Sequence, residues 1–158
     1  MLTTRKFAAG TTVTPARSRE ELDKLLKKYG ATGFGYVDQK QAAAIMFELE
    51  GRTYRFMVAM PQLEDFKRSS TGYVLSATAQ KKAWEQSVKE QWRAIVATIK
   101  GKLIAVDCSI QSFEEVFMDQ MVMANGQTVA EYVEPELRRM YQTGELPRML
   151  PSGGGRKD

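Results

Sequence analysis

The fold is decided by residues 33–61, GFGYVDQKQAAAIMFELEGRTYRFMVAMP, where apolar side chains recur at every second position. The alternating residues form three runs: Phe34 and Tyr36, then Ile45, Phe47 and Leu49, then Tyr54, Phe56, Val58 and Met60. Because successive side chains on a strand point to opposite faces, each run gives one strand an apolar face. Gly51 predicts a tight turn between Glu50 and Arg52, and residues 38–41 form a polar break. The stretch therefore predicts a three-stranded antiparallel meander.

Helical patterns lie on both sides of this sheet. A first helix begins at a capping box formed by Ser18 and Glu21, and it ends at Gly30. Residues 79–106 predict a long helix that bends or ends at Gly101 and whose apolar stripe spans roughly 120°. The stripe contains Trp84, Val88, Trp92, Ile95, Val96, Ile99 and Leu103. Such a stripe must pack on the apolar face of the sheet.

Short elements are predicted elsewhere in the chain. Residues 73–75 favour a short extra strand. Two capping-box patterns each open a C-terminal helix: Ser112 with Glu115, and Thr128 with Glu131. The second of these helices stops at Gly144, and Pro135 is expected to kink or split it.

The order α-β-β-β-α, followed by short helices, predicts an α+β fold in which a long helix covers a three-stranded antiparallel sheet. At 158 residues the chain is long enough for one domain with its own core. We expect residues 1–16 to form a flexible basic arm and residues 17–151 a single α+β domain. Residues 152–158 are expected to form a disordered tail.

Composition limits the function more than it identifies it. The chain is 43% hydrophobic and 27% charged, as is usual for a globular domain. No apolar run approaches the ~20 residues of a membrane span, and the N-terminus lacks the apolar core of a signal peptide. A cytoplasmic protein without membrane contact is therefore expected. The net charge of +4 permits contact with nucleic acid but does not demand it.

The chain has no histidine and only one cysteine, Cys108. This composition removes histidine-based catalysis and structural zinc sites, and it predicts a packed, inert thiol for Cys108. Two carboxylate clusters occur late in the chain: Glu114, Glu115 and Asp119, and then Glu131, Glu134 and Glu136. Helix capping and solvation account for both clusters. We therefore expect no enzyme activity, no metal and no cofactor.

Basic side chains form the main candidate site. They are Lys82, Lys89, Arg93 and Lys100 on the long helix, Lys67 and Arg68 in the loop before it, and Arg52 and Arg55 on the third strand. The four on the helix, which we call the basic row, are spaced so that they stack along one helix face. Cations in such a row can follow the phosphates of an extended strand. The alternative is a solvated face whose lysine stems cover apolar edges.

Aromatic residues offer a second means of binding bases, by stacking. Trp84 and Trp92 lie within the apolar stripe of the long helix, however, and this position favours core packing. On the sheet, Tyr36 and Tyr54 are likewise candidates either for stacking on bases or for packing in the core. Tyr54 shares the parity of Phe56, which predicts that it points inward. The arginines of the third strand are the better candidates for an exposed face.

Three segments carry a resemblance: KYGATGFGYVDQKQAAAIMFELEGRTYRFMVAMP, KKAWEQSVKEQWRAIVATIKGKLIAV and NGQTVAEYVEPELRRMYQTGELPRMLP. They resemble a family of small proteins of tailed phages and prophages, usually called hypothetical, over residues 11–151. The resemblance implies expression in the bacterial host cytoplasm and supplies no catalytic residues. The element order is also similar to that of double-stranded-RNA-binding domains, whose second helix opens with lysines, but their glycine-proline-histidine loop is absent. A β-β-β-α core also occurs in phage single-strand annealing proteins.

These observations favour a phage-encoded, non-enzymatic nucleic-acid-binding protein that acts in replication or recombination. The alternative is a protein-interaction module that binds a host protein and inhibits or redirects it. The residues that favour this alternative are apolar: Met118, Met121, Met123, Met149 and Leu150. They are candidates for an adaptable contact surface. A homo-oligomer built through the same surface is equally compatible with the sequence.

Overall fold

The structure is a computed structural model that describes residues 7–39 and 41–145. Its elements are α1 (Pro15–Lys28), β1 (Gly33–Asp38), β2 (Ala42–Leu49), β3 (Arg52–Ala59), α2 (Ala77–Asp107), α3 (Phe113–Phe117) and α4 (Val129–Thr143). Short 3₁₀ turns occupy Leu63–Phe66 and Met118–Gln120. The α+β class and the α-β-β-β-α order predicted from the sequence are confirmed.

The three strands form an antiparallel meander in the order β1-β2-β3. Phe34 pairs with Phe47 in the first register, and Phe47 pairs with Tyr54 in the second. Glu50 and Gly51 connect β2 to β3 with φ values of 51° and 72°. Two consecutive positive φ values define the type I′ hairpin turn, whose twist matches that of the flanking strands. The alternation of apolar residues therefore lies on one face of the sheet, as the sequence predicts.

The core lies between this face and the helices α1, α2 and α3. Its buried members include Leu22, Leu26, Ile45, Phe47, Tyr54, Trp92, Val96, Ile99, Leu103 and Phe117. Aromatic rings form its centre, with Phe47 stacked on Tyr54 and both in edge contact with Phe117. Phe56, predicted to be buried like Phe47, is only partly buried, because it borders a small cavity beside Ile95.

The first helix begins earlier than the sequence predicts. The Thr14 hydroxyl accepts a hydrogen bond from the backbone N–H of Arg17 at 3.2 Å, so Thr14 is the N-cap. Pro15 follows as the first helical residue, where its missing N–H costs nothing. Ser18, predicted as the cap, is fully buried inside the helix. Glu21 pairs with Arg93 of α2 rather than closing a capping box.

Two predicted helix breaks do not interrupt their helices. The helix α2 continues through Gly101, because Ile99 and Leu103 on either side are buried and their packing outweighs a glycine cost of ~1 kcal/mol. The helix α4 continues through the exposed Pro135 and ends at Gly144, whose φ is 73°. The prediction of a strand at residues 73–75 is wrong, since only an isolated bridge joins Arg68 to Val74.

Part of the predicted N-terminal arm contacts α2. The backbone N–H of Gly10 donates to the Glu90 carboxylate at 3.0 Å, and the Gln86 side chain donates to the Thr11 carbonyl at 3.0 Å. The basic residues at positions 5 and 6, together with the predicted tail at 152–158, lie outside the described residues. The domain boundaries therefore stay predictions.

Candidate interaction surfaces

The basic row lies along one side of α2. At ~100° per residue, Lys82, Lys89, Arg93 and Lys100 fall within a sector of roughly 40°. Lys82 and Lys100 are exposed, whereas Lys89 and Arg93 are half-buried. This arrangement follows directly from the continuity of α2.

Arg93 is engaged in helix packing. Its guanidinium donates to both oxygens of the Glu21 carboxylate on α1, and this hydrogen bonding holds the pKa of Glu21 below its usual value. The charge of Lys100 lowers the same pKa to a lesser extent. Among the described residues, Lys82, Lys89 and Lys100 make no ion pair. Three of the four members therefore stay available to a ligand.

The segment that precedes Lys67 and Arg68 is attached to the side of α2 opposite the basic row. The segment before them is fixed by Gln80, which donates to the Leu63 carbonyl at 2.7 Å, and by Trp84, which donates to the Pro61 carbonyl at 2.9 Å. On α2, these two anchoring side chains lie roughly half a turn away from Lys82. Loop and row therefore form two separate groups of cations.

The two strand arginines are held by carboxylates of the C-terminal segment. Arg52 lies 3.5 Å from Glu114 of α3. Arg55 donates to the Gly126 carbonyl at 3.0 Å and to Glu131 of α4 at 2.6 Å. These contacts tie β3 to α3 and α4. The structure therefore gives both arginines an internal partner and does not bring them near the basic row.

An apolar groove lies between α3 and α4, and we call it the α3–α4 groove. Its volume is about 380 Å³, and its lining consists of Glu115, Met118, Asp119, Val129, Ala130, Val133, Glu134 and Leu137. Although α4 is amphipathic, it has no buried residue among those described. Leu137 is 40% exposed and Tyr132 is 52% exposed. On the apolar side of α4, Val129, Val133 and Met140 are half-buried and Leu137 is exposed, so the described residues cover this side only in part.

Carboxylates form the charged part of the α3–α4 groove, which contains no lysine or arginine among its lining residues. The backbone N–H of Ser112 donates to Glu115 and lowers the pKa of that carboxyl. Asp119 lies 3.8 Å from Lys102, and Glu134 pairs with Arg138 one turn along α4. The groove therefore has apolar walls and a rim of carboxylates, two of which already have a basic partner outside the lining.

Side-chain capping fixes α4 at its start. The buried Thr128 accepts from the backbone N–H of Glu131 at 3.2 Å, and Glu131 accepts from the backbone N–H of Thr128 at 2.8 Å. The second bond is the main reason why the pKa of Glu131 is lowered, and the nearby Arg55 adds to the effect. Both capping boxes predicted for the C-terminal helices are confirmed. The groove is thus formed by anchored helices.

The methionines do not form one surface. Met118 lines the α3–α4 groove and is 49% exposed. Met121 is partly buried against the core and bridges Tyr54 of β3, while Met123 is also partly buried. Residues 149 and 150, which the sequence places with them, lie outside the described residues. Among Met118, Met121 and Met123, which the structure describes, Met118 alone lines the groove.

The aromatic residues divide in a similar way. Trp92 is buried at 1% exposure and Tyr54 also at 1%, which agrees with core packing. Trp84 is half-buried and donates its indole N–H to the Pro61 carbonyl. Tyr36 is 41% exposed and meets Trp92 edge to face. Stacking platforms for bases are therefore limited to Tyr36 among these four.

The prediction for Cys108 is wrong, because the residue is exposed. Cys108 is the C-cap residue of α2, and it lies at the solvent-exposed end of that helix. Among residues 7–39 and 41–145, no group of three or more cysteine, aspartate and glutamate side chains is arranged to hold a metal ion. Within the same ranges, no helix combines the length and the apolarity needed to cross a membrane.

Comparison with known proteins adds no relative to this description. No family model, no curated protein and no solved structure matches the chain.

Sequence reasoning missed the α3–α4 groove, although it identified the helices that form it. Val133 and Leu137 have the four-residue spacing of one helix face, and this spacing does not say what covers that face.

Proposed function

We propose that this protein is a non-enzymatic protein-interaction module that binds a basic amphipathic helix of its partner in the α3–α4 groove. The observation that carries the proposal is the apolar side of α4, which the described residues cover only in part, with Val133 half-buried and Leu137 exposed. An amphipathic helix with its apolar side in water is typical of a docking surface. The resemblance to small phage proteins makes a host protein the expected source of this helix.

Shape and charge together define the occupant. A groove between two helices accepts the apolar anchors of a third helix at positions i, i+3, i+4 and i+7. Met118 adds a flexible side chain that adapts to anchors of different size. Glu115 has no basic partner among the described residues and favours a lysine or arginine beside those anchors, whereas Asp119 and Glu134 already pair with Lys102 and Arg138. The partner helix is therefore apolar on one side and basic along its edges.

A labelled synthetic helix tests this function. The probe has leucines on one face and lysines elsewhere, and a matched peptide replaces each lysine by glutamate. We expect fluorescence anisotropy to detect the lysine peptide and not the glutamate peptide. Leu137→Asp should weaken binding about tenfold or more, because it places a charge in the apolar wall and costs at least ~1.4 kcal/mol.

Tyr141→Asp is the matched control for this variant. Tyr141 lies on α4 and is 84% exposed, but it does not line the α3–α4 groove. The control should bind the lysine peptide as the parent protein does. Equal weakening by both variants, or no binding of the lysine peptide by the parent protein, would contradict the proposal.

Nucleic-acid binding is the second candidate, and the three unpaired lysines of the basic row favour it. Lys82, Lys89 and Lys100 lie along one side of α2 without an internal ion pair among the described residues. Three phosphate contacts on a single strand give a slope of log affinity against log salt near about −2. A salt titration with labelled oligonucleotides measures this slope. Absence of binding at ~50 mM salt, where such contacts are strongest, rules this candidate out.

A further inference from the structure

The two edges of the sheet differ in how their backbone groups are satisfied. At the β3 edge, the backbone N–H of Val122 donates to the Thr53 carbonyl at 2.8 Å, and the Gln91 side chain donates to the Ala59 carbonyl at 3.1 Å. At the other edge, β1 pairs only with β2 among the residues that the structure describes. An unpaired edge presents a row of donors and acceptors that fits another extended chain.

The direction of these groups follows from the register. The backbone N–H of Gln39 donates to the Ala42 carbonyl at 2.8 Å, so every second residue before Gln39 also bonds toward β2. The alternate residues Phe34, Tyr36 and Asp38 direct their N–H and C=O groups away from the sheet. No described residue is hydrogen-bonded to these outward groups.

Solvent reaches this edge through a groove between α1 and β1. The groove has a volume of about 490 Å³, and Gly33, Phe34 and Tyr36 form its strand side. Between its first and last residues β1 contains neither lysine nor proline, the residues that usually protect an edge from pairing. The edge is therefore both unsatisfied and accessible.

We propose that the β1 edge pairs with the β1 edge of a second copy of this chain, antiparallel and with Tyr36 on the two-fold axis. In this register Tyr36 faces Tyr36 of the second copy, and Phe34 faces Asp38 of the second copy. All three outward N–H groups of each copy then donate, and all three outward C=O groups accept. A shift of the register by one pair leaves some of these groups without a partner.

The side chains support the same register. On the open face of the sheet, Gly35 lies opposite Val37 of the second copy. A Cβ at Gly35 would have nothing within 4 Å, so the space above it is empty, while Val37 is 54% exposed. The valine of one copy therefore covers the glycine of the other, where paired Cα atoms approach to ~4.5 Å.

Charge on the helix side does not select this register. Asp38 of the second copy lies opposite Phe34, and the groove lining on α1 carries two cations and two carboxylates: Arg19, Lys27, Glu20 and Asp23. Lys27 already pairs with Asp23 at 2.8 Å. One strand pair engages few side chains compared with a stable interface of ~1,200 Å² or more. The expected dimer is thus weak and forms at high protein concentration.

Hydrogen exchange on the unaltered chain tests the pairing without any substitution. As protein concentration rises, the amides of Phe34, Tyr36 and Asp38 should become protected, in step with a rise in mass by sedimentation from one chain toward two. The amides of Gly33, Gly35 and Val37 bond to β2 and should show little change. Outward amides that exchange at the same rate at every concentration would overturn the proposal.

Two substitutions at one position isolate the backbone contribution. Tyr36→Pro removes an outward N–H and leaves the β1–β2 ladder intact, because this N–H takes no part in it. Tyr36→Ala keeps the N–H and loses the same side-chain contacts, which include the Arg19 guanidinium 4.4 Å from the Tyr36 ring. We expect the alanine variant to dimerise and the proline variant to stay monomeric.

The same measurements separate this edge from the α3–α4 groove. A dimer that survives Tyr36→Pro but is lost in Leu137→Asp would assign self-association to α4 and overturn the edge proposal. A dimer lost in Tyr36→Pro and kept in Leu137→Asp supports it. Peptide binding in the groove is measured independently, so failure of either proposal leaves the other to be judged on its own data.

Discussion

The helices α2 and α4 differ in what becomes of their apolar sides. Both begin at a hydroxyl cap, Ser76 in α2 and Thr128 in α4, and both are amphipathic. The apolar side of α2 lies on the sheet and is buried at Trp92, Ile95, Val96, Ile99 and Leu103. The apolar side of α4 has no buried residue among those described. An amphipathic pattern thus indicates that a helix needs a cover, but it does not say what the cover is.

The largest difference between the two helices is expected when one leucine of each is replaced by alanine. Leu103 on α2 is 1% exposed, and Leu137 on α4 is 40% exposed. Leu103→Ala should lower the free energy of unfolding by ~2–5 kcal/mol, because it leaves a cavity in the core. Leu137→Ala should change it by less than ~0.5 kcal/mol. Urea denaturation measures both values, and a cost for Leu137→Ala close to that for Leu103→Ala would show that α4 is packed.

The cap of α4 should matter more to that helix than its apolar side chains do. Thr128→Ala removes the hydroxyl that accepts from Glu131, at a cost of ~1 kcal/mol. Thr128→Ser keeps a hydroxyl and is the matched control. Hydrogen exchange in residues 129–143 should accelerate in the alanine variant alone. Unchanged exchange in that variant would show that the hydroxyl does not anchor α4.

Acid should weaken the contact between α1 and α2 and also the start of α4, because each depends on a carboxylate whose pKa is lowered in the folded protein. For Glu21 the first cause is hydrogen bonding from Arg93, and for Glu131 it is the backbone N–H of Thr128. A lowered folded pKa stabilises the fold above the unfolded value of 4.5, and this contribution is lost as pH falls through the folded value. The free energy of unfolding should therefore decline below about pH 5.

Two variants, Glu21→Gln and Glu131→Gln, show which of these two carboxylates causes the loss of stability in acid. Each glutamine lacks the titrating group, so each variant should show a flatter decline in acid than the parent protein. Glu21→Gln affects the contact between α1 and α2, and Glu131→Gln affects the start of α4. An acid profile unchanged in both variants would mean that other carboxyls dominate the decline.

The smallest effect on stability is expected at the basic row. Lys82→Gln combined with Lys89→Gln should leave the melting temperature nearly unchanged, because neither lysine has an internal ion pair among the described residues. The same double variant should flatten the salt slope of oligonucleotide binding by about one unit if the row contacts phosphates. A large fall in melting temperature would show that the row supports packing.

The sequence predicted local features better than contacts between distant parts. The strand alternation, the turn at Gly51 and the caps at Ser112 and Thr128 depend on neighbouring residues, and the structure bears them out. The cap assigned to Ser18 failed because Thr14 and Pro15 supply an equally good start one turn earlier. Local pattern cannot choose between two such starts, since the choice depends on what Ser18 packs against.

The candidate site was predicted less well for the same reason. Spacing along α2 is enough to align the basic row, because one continuous helix fixes it. Spacing does not reveal that Arg93 meets Glu21 or that Arg55 meets Glu131, since these partners are more than 70 residues apart. The sequence also gives no sign that the segment before Lys67 is attached to the side of α2 opposite the basic row.

The sequence by itself determined the meander, the amphipathic helices and their caps, because period and capping act within a few residues. The tertiary structure alone decided which apolar sides are covered, which cations have carboxylate partners and which sheet edge is open. These outcomes depend on how the helices α1, α2, α3 and α4 are arranged around one three-stranded sheet. A sheet this narrow has one apolar face, which α1, α2 and α3 already cover, and the described residues leave the apolar side of α4 only partly covered.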